Sequence, residues 1–189
     1  MSPRNLFDAS HNRYCCQGTM LNCSVDQFHE LFLQDSALHS LVKYQSDVVK
    51  DKDVRATNWL RKDDGSLYRT LTFWHPIKNS TGFGPDSANT RREQTLRLFP
   101  GRGLSLDNVT RVEGIPAADS FHVRDRWLVE STASNSQVRL SVRYGVHFSK
   151  RSLLKSLIQK SIRKETTEWW EGYVRFLQTA TAKEHSEGA

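Results

Sequence analysis

Long apolar runs are missing from this chain, and cysteine is scarce. Nowhere in the 189 residues does a stretch approach the ~20 consecutive apolar positions that a membrane-spanning helix needs. The segment Met1 to Asn12 has no apolar core of the kind a secretory leader carries, so a soluble chain is expected. Three cysteines, Cys15, Cys16 and Cys23, cannot all pair with one another. Neighbours in a strand point to opposite faces, which argues against a disulfide framework and for a reducing compartment. None of the seven histidines forms His-x-x-x-His or joins the cysteines at zinc spacing, so no metal is expected. A Gly-x-Ser-x-Gly elbow and a P-loop are also missing, and Gly101-Arg-Gly103 reads as a turn, not a phosphate cradle. Asn22, Asn79 and Asn108 each open an Asn-x-Ser/Thr tripeptide; without a secretion signal these are read as chance.

What is present is an excess of positive charge, 27 Lys and Arg against 21 Asp and Glu, with a pI near 9.4. That balance fits an anionic partner, nucleic acid or a membrane surface, and equally fits a protein that is merely soluble. The length suits one domain that buries its core without disulfides or metal. A single unit over residues 13–182 is expected, with frayed ends at 1–12 and 183–189.

Tyr14 to Asn22 reads as a strand, and Ser24 with Gln27 forms a capping box before the apolar positions Val25, Phe28, Leu31 and Phe32. Ser36 opens a second helical run through Leu38, Leu41 and Val42; Asp47 to Arg55 carries no clear period. From Ala56 the period becomes two. Strand-like runs at Ala56–Arg61, Leu67–Trp74, Thr90–Phe99, Leu104–Val112, Ser120–Glu130 and Gln137–Phe148 alternate with turn chemistry such as Asp64-Gly65 and Pro100-Gly101. The connections are mostly too short for parallel crossovers, so an antiparallel meander is expected. A long helix follows, from Lys150 to about Ala182, with Leu154, Ile158, Ile162, Trp169, Tyr173 and Leu177 on one stripe. The order predicts an α+β helix-grip fold: a curved antiparallel sheet of about six to seven strands closing on its C-terminal helix, with two short helices after the first strand. A concave sheet that side chains do not fill holds a small apolar ligand.

Three segments carry a family resemblance. They are Leu67-Tyr-Arg-Thr-Leu-Thr-Phe-Trp-His-Pro-Ile-Lys-Asn79 with Gly82-Phe-Gly-Pro85 and Arg92-Glu-Gln-Thr95; Val112-Glu-Gly-Ile-Pro-Ala-Ala-Asp-Ser-Phe-His-Val-Arg-Asp-Arg-Trp127; and Val142-Arg-Tyr-Gly-Val-His-Phe-Ser-Lys150 leading into Leu153-Leu-Lys-Ser-Leu-Ile158. Together they resemble a VASt domain over roughly Gly18 to Tyr173. VASt domains are StAR-like lipid-transfer domains, known from the Aster and Lam proteins of membrane contact sites and from plant relatives. The resemblance implies a helix-grip fold with an internal sterol cavity and no catalytic activity. It implies no cofactor beyond the bound sterol or other lipid. One segment departs from the family: Ile115-Pro-Ala-Ala-Asp119 stands where Val-Pro-Tyr-Gly-Asp is common.

Candidate sites follow from both readings. Phe73, Trp127, Tyr144 and Phe148 on strands and Phe83 on a loop, with Leu154, Ile158 and Ile162 on the helix, are the expected ligand contacts. Phe73 is expected to face inward and Trp74 outward, because His75-Pro76 ends the strand. Lys78, Asn79, Gly82, Phe83, Gly84 and Pro85 occupy the position of the family's lid loop, with Phe83 at its tip; an ordinary wide hairpin loop is the plainer reading. The run Lys150 to Lys164 holds six bases and no acid, so Lys150, Arg151 and Lys155 are expected membrane contacts beside the solvated face of a core helix.

The expected function is binding a sterol or similar lipid and moving it between membranes. The domain would be monomeric, docking transiently on anionic surfaces in the cytosol, as at contacts between endoplasmic reticulum and plasma membrane. Other readings stay open: a START-like cyclase or hydrolase using His147 or Tyr144, a lipid sensor, or a protein-binding domain. Single-stranded nucleic acid stacking on Trp169 or Trp170 is disfavoured, because Trp169 lies on the buried stripe, and no specific nucleic-acid partner is expected.

Overall fold

A computed structural model describes residues 13–77 and 85–187, with side chains through Lys183. Strand β1 (Arg13–Leu21) leads to helix α1 (Val25–Phe32), a short helix α2 (Leu41–Lys43) and a wide π-helical turn, Tyr44–Val49. Seven strands follow: β2 (Lys52–Ala56), β3 (Leu60–Arg61), β4 (Leu67–Pro76), β5 (Ser87–Phe99), β6 (Gly103–Glu113), β7 (Phe121–Ser131) and β8 (Val138–Phe148). Helix α3 (Lys155–Glu187) closes the chain. The sheet is antiparallel and open, in the order β1-β8-β7-β6-β5-β4-β2, with β3 also on β4. This is the helix-grip α+β fold, with eight strands.

Local chemistry sets the element ends. The Ser24 hydroxyl accepts from the Gln27 N–H at 3.2 Å while the Gln27 carboxamide accepts from the Ser24 N–H at 2.9 Å, completing the capping box. At Gly103, which opens β6 with φ 155°, an added Cβ would lie 2.1 Å from the Val129 carbonyl, so only glycine lets β6 and β7 approach there.

The structure differs from the sequence expectation at three places. The run from Ser36 is not helical until Leu41: the Ser40 hydroxyl caps that turn at 3.3 Å from the Lys43 N–H, and Leu38 points to solvent. The expected strand Ala56–Arg61 is two short strands, β2 on the far half of β4 and β3 on its near half. Between them Trp59 leaves the ladder, donates from its indole to the Leu33 carbonyl at 2.6 Å and lies under the Arg69 guanidinium at 4.2 Å. Helix α3 begins at Lys155, not Lys150, because Ser149 to Leu154 turns out of the sheet. There Ser149 N–H donates to the Ser120 carbonyl at 2.8 Å, and the Ser152 hydroxyl accepts from Leu154 N–H at 3.2 Å.

The core lies between the concave face and the C-terminal half of α3. Trp127 packs against Trp170 and Tyr173, with ring centres 5.0 and 5.5 Å apart. Tyr44 packs against Trp169, Tyr173 and Phe176 at 5.4, 4.7 and 5.1 Å. Close approach here depends on Gly172, where a Cβ would fall 2.6 Å from the Tyr44 hydroxyl.

Candidate functional site

Register aligns the inward-facing residues into rows that cross the strands. One row is polar throughout: Arg69 on β4, Gln94 on β5, Asn108 on β6, Asp125 on β7 and Tyr144 on β8 stand directly opposite one another in turn. Hydrogen bonds join its first four members. Arg69 Nε donates to Gln94 Oε1 at 2.7 Å, Gln94 Nε2 to Asn108 Oδ1 at 2.7 Å, and Asn108 Nδ2 to Asp125 Oδ2 at 2.6 Å. The Trp127 indole donates to the same carboxylate oxygen at 2.7 Å. All five residues are buried, so the low dielectric strengthens each bond and makes each expensive to lose. Burial lowers the Arg69 pKa to about 10 and raises those of Tyr144 and Tyr173. Two buried donors behind and beside the row, Arg69 Nη2 and the Tyr173 hydroxyl, have no hydrogen-bond partner among the described residues.

The row divides the concave face. On the side of the β5–β6 and β7–β8 turns, Leu96, Leu104, Leu106, Trp127, Val129, Leu140 and Val142 are fully buried against α3 and α1. On the other side, the inward positions Thr110, Val112, Val123, Val146 and Phe148 are only half-buried. The helix residues of that end, Ile158, Ile162, Thr166 and Trp169, are half-buried as well. Leu71, Phe73, Thr90 and Phe121 complete this end as buried positions. Arg92 rises from its floor, half-buried, with its Nε donating to the Thr110 hydroxyl at 3.1 Å. Its guanidinium lies 5.7 Å from the Phe73 ring centre and 5.6 Å from that of Trp169.

The same end of the sheet collects the β4–β5 hairpin, the β6–β7 turn and the β8–α3 junction. The Ile77 N–H donates to the Asp86 carbonyl at 2.8 Å across the hairpin base. Lys150 Nζ meets Asp119 at 2.5 Å, tying the β6–β7 turn to the junction. In that turn Ala117 adopts φ 59°, a left-handed backbone unusual for alanine.

The sequence candidates distribute unevenly over this geometry. Phe73 is buried and inward while Trp74 is 45% exposed, as alternation requires. Phe73, Phe148, Ile158 and Ile162 border the half-covered end; Tyr144 belongs to the polar row; Trp127 sits in the filled half. Leu154 is 39% exposed and lies at the rim, outside the stripe's buried part. On the helix, Trp170 is fully buried and Trp169 half-buried. Lys78, Asn79, Gly82, Phe83 and Gly84 lie outside the described residues; Pro85 is half-buried. Lys150, Arg151 and Lys155 are exposed, and Lys155 Nζ stands 5.4 Å over the Phe148 ring.

Sequence reasoning missed three features. The polar row interrupts the apolar phase of each strand at one position, a signal that becomes a row only once register is known. The exposed leucines Leu153 and Leu157, 105% and 62% accessible, flank the basic junction, and neither belongs to the apolar stripe that the helical spacing marks. His147, a candidate acid or base, instead faces the convex side, stacked on His122 at 5.2 Å.

Comparison with known proteins decides the family. The family model described as VAD1 Analog of StAR-related lipid transfer domain, VASt, matches residues 15–165. The chain belongs to the VASt family. Among the relatives that match is the protein named Vascular Associated Death 1, chloroplastic, from Arabidopsis thaliana, 28% identical over 153 residues. That match covers 80% of this chain and 25% of the relative, so the VASt domain described here spans about a quarter of that protein. VASt is a StAR-like lipid-binding domain family. Among the described residues, no helix is long and apolar enough to cross a membrane, and no group of three or more His, Cys, Asp or Glu side chains could hold a metal ion.

Proposed function

We propose that the half-covered end of the concave face is the mouth of a cavity that carries a sterol or a similar apolar lipid between membranes. The observation that carries this reading is the run of inward-facing side chains, Val112, Val123, Val146, Phe148, Ile158 and Ile162, that a packed core would cover and this one does not. Interiors are normally filled to crystal-like density, so a contiguous set of half-covered apolar positions beneath a helix is a place for a ligand. Membership of a lipid-binding family supports the same reading. Each Å2 of ligand surface withdrawn from water contributes roughly 25 cal/mol, which is what makes a soluble carrier of an apolar lipid stable.

The mechanism is binding and release, without bond chemistry. Lys150, Arg151 and Lys155 approach an anionic surface, each contributing about 1 kcal/mol near it, while Leu153, Leu154 and Leu157 enter the interfacial layer. The domain acts as a monomer at membrane surfaces in the cytosol, such as contacts between endoplasmic reticulum and plasma membrane; the relative's chloroplast designation makes the plastid surface a second address for fractionation to test.

The test is transfer of a fluorescent sterol between donor and acceptor liposomes, the acceptors with and without phosphatidylserine. Saturable binding and transfer that accelerates with the anionic lipid are expected. A domain that neither binds the sterol nor moves it overturns the reading.

A further inference from the structure

The half-covered end is lined by apolar side chains and the threonines Thr90, Thr110 and Thr166, and Arg92 places a guanidinium on its floor beside the rings of Phe73 and Trp169. Among the described residues, no carboxylate lies within ion-pair distance of Arg92. Four acids on or beside the sheet pair elsewhere. Glu93, the next residue on β5, points to the convex face and meets Arg91 and Arg111 at 3.3 and 3.2 Å. Asp125 accepts from Asn108 and Trp127, Asp51 meets His75 at 2.7 Å, and Asp107 holds Arg97 and Arg126. A guanidinium carries five N–H donors in a planar fork. In Arg92 only Nε is used within the described residues, on Thr110.

Arg69, diagonal to Arg92 across the β4–β5 pair, leaves its buried Nη2 without a hydrogen-bond partner among the described residues, and so does the fully buried Tyr173 hydroxyl. Both guanidinium groups bear electrostatically on that hydroxyl. Between the rings of Phe73 and Trp169 the Arg92 guanidinium therefore presents donors and positive charge with no carboxylate paired to it among the described residues. A buried or half-buried charge left in that state costs stability unless something pairs it.

We propose that Arg92 anchors an oxyanion on the bound lipid, so that the ligand class is amphipathic acids: an apolar body with one carboxylate or sulfate that enters first and takes the free end of the Arg92 fork. The Phe73 and Trp169 rings flank that fork, and the apolar body extends past Val123, Val146 and Ile162 toward the mouth. This inference rests on the lipid-carrier reading and narrows its substrate.

Matched ligand pairs test it with the intact chain. Affinities of cholesterol and cholesterol sulfate, and of oleyl alcohol and oleate, are measured by titration while following tryptophan fluorescence, since Trp169 borders the proposed head-group position. The anionic member of at least one pair is expected to bind tenfold or more tightly, and the pair that discriminates identifies the oxyanion. In Arg92→Gln the anionic preference within each pair is expected to vanish, and Arg92→Lys is expected to restore part of it. Equal affinity within both pairs for the unmodified chain overturns the anchor while leaving the lipid-carrier reading intact, and needs no variant to fold. A preference that survives in Arg92→Gln also overturns it. Failure to bind any of the four ligands overturns both.

Discussion

Asp125 is the residue on which the polar row turns. One of its oxygens accepts from both Asn108 and the Trp127 indole, so truncation would strand two buried donors in addition to removing a charge. Asp125→Ala is expected to cost about 3 kcal/mol in urea unfolding, within the range for breaking a buried polar network, and to redshift Trp127 emission as water reaches the indole. His122 gives a test in pH. Burial, then the charges of His147, Arg111 and Arg124, lowers its pKa below the ordinary 6.5. The unfolded chain therefore binds a proton here more readily than the folded one, and stability falls as pH drops below about 6.5 toward the folded value. His122→Gln is expected to flatten the stability profile in that window relative to the unmodified chain, measured as denaturant midpoint against pH. At this scale the sequence is legible where one strand suffices. Phe73 and Trp74 are assigned correctly from alternation and the following proline; the row from Arg69 to Tyr144 needs the register of five strands, which no single strand reveals. The Asn-x-Thr tripeptide at Asn108 illustrates the same limit, because the fold buries its side chain in that row.

Among the elements, α3 is legible in the sequence because its apolar spacing persists for many turns, and α1 because its capping box is local. The turn from Tyr44 to Val49 was not, since its π geometry leaves no helical period to read. Gly172 is the point where helix propensity and packing oppose each other. Propensity alone predicts that Gly172→Ala stabilises α3 by ~1 kcal/mol. The added methyl, however, would meet the Tyr44 hydroxyl, whose ring is held among Trp169, Tyr173 and Phe176 and cannot withdraw without disturbing them. Overpacking at such a site costs typically ~1–3 kcal/mol. A net loss in thermal unfolding is expected, and a gain would show that Tyr44 moves freely.

For the whole molecule, the order of elements and their turn chemistry made the helix-grip legible, because an antiparallel meander followed by one amphipathic helix has few compact solutions. Which end stays open was not legible, since it depends on how far the helix aromatics fill the space behind the polar row. The half-covered end also gathers features from distant parts of the chain, and a docking prediction belongs to it as a unit. Leu153→Glu with Leu157→Glu is expected to weaken sedimentation with phosphatidylserine liposomes at least tenfold while leaving the unfolding midpoint unchanged, because both side chains are already in solvent. Loss of binding with a lowered midpoint would point to misfolding instead.

Helix α3 is held unequally along its length, and this makes it a beam clamped at one end. The clamp is the aromatic contact of Trp169, Trp170, Tyr173 and Phe176 with Tyr44 and Trp127; the first turns, from Lys155 to Thr166, rest on half-covered side chains. A cantilever can deflect at its tip without loosening its root. Amide hydrogen exchange is expected to be faster over residues 157–166 than over 170–180, with lipid slowing only the first group. Uniform protection along the helix would refute the cantilever. Deflection there bends a few turns and leaves the core closed.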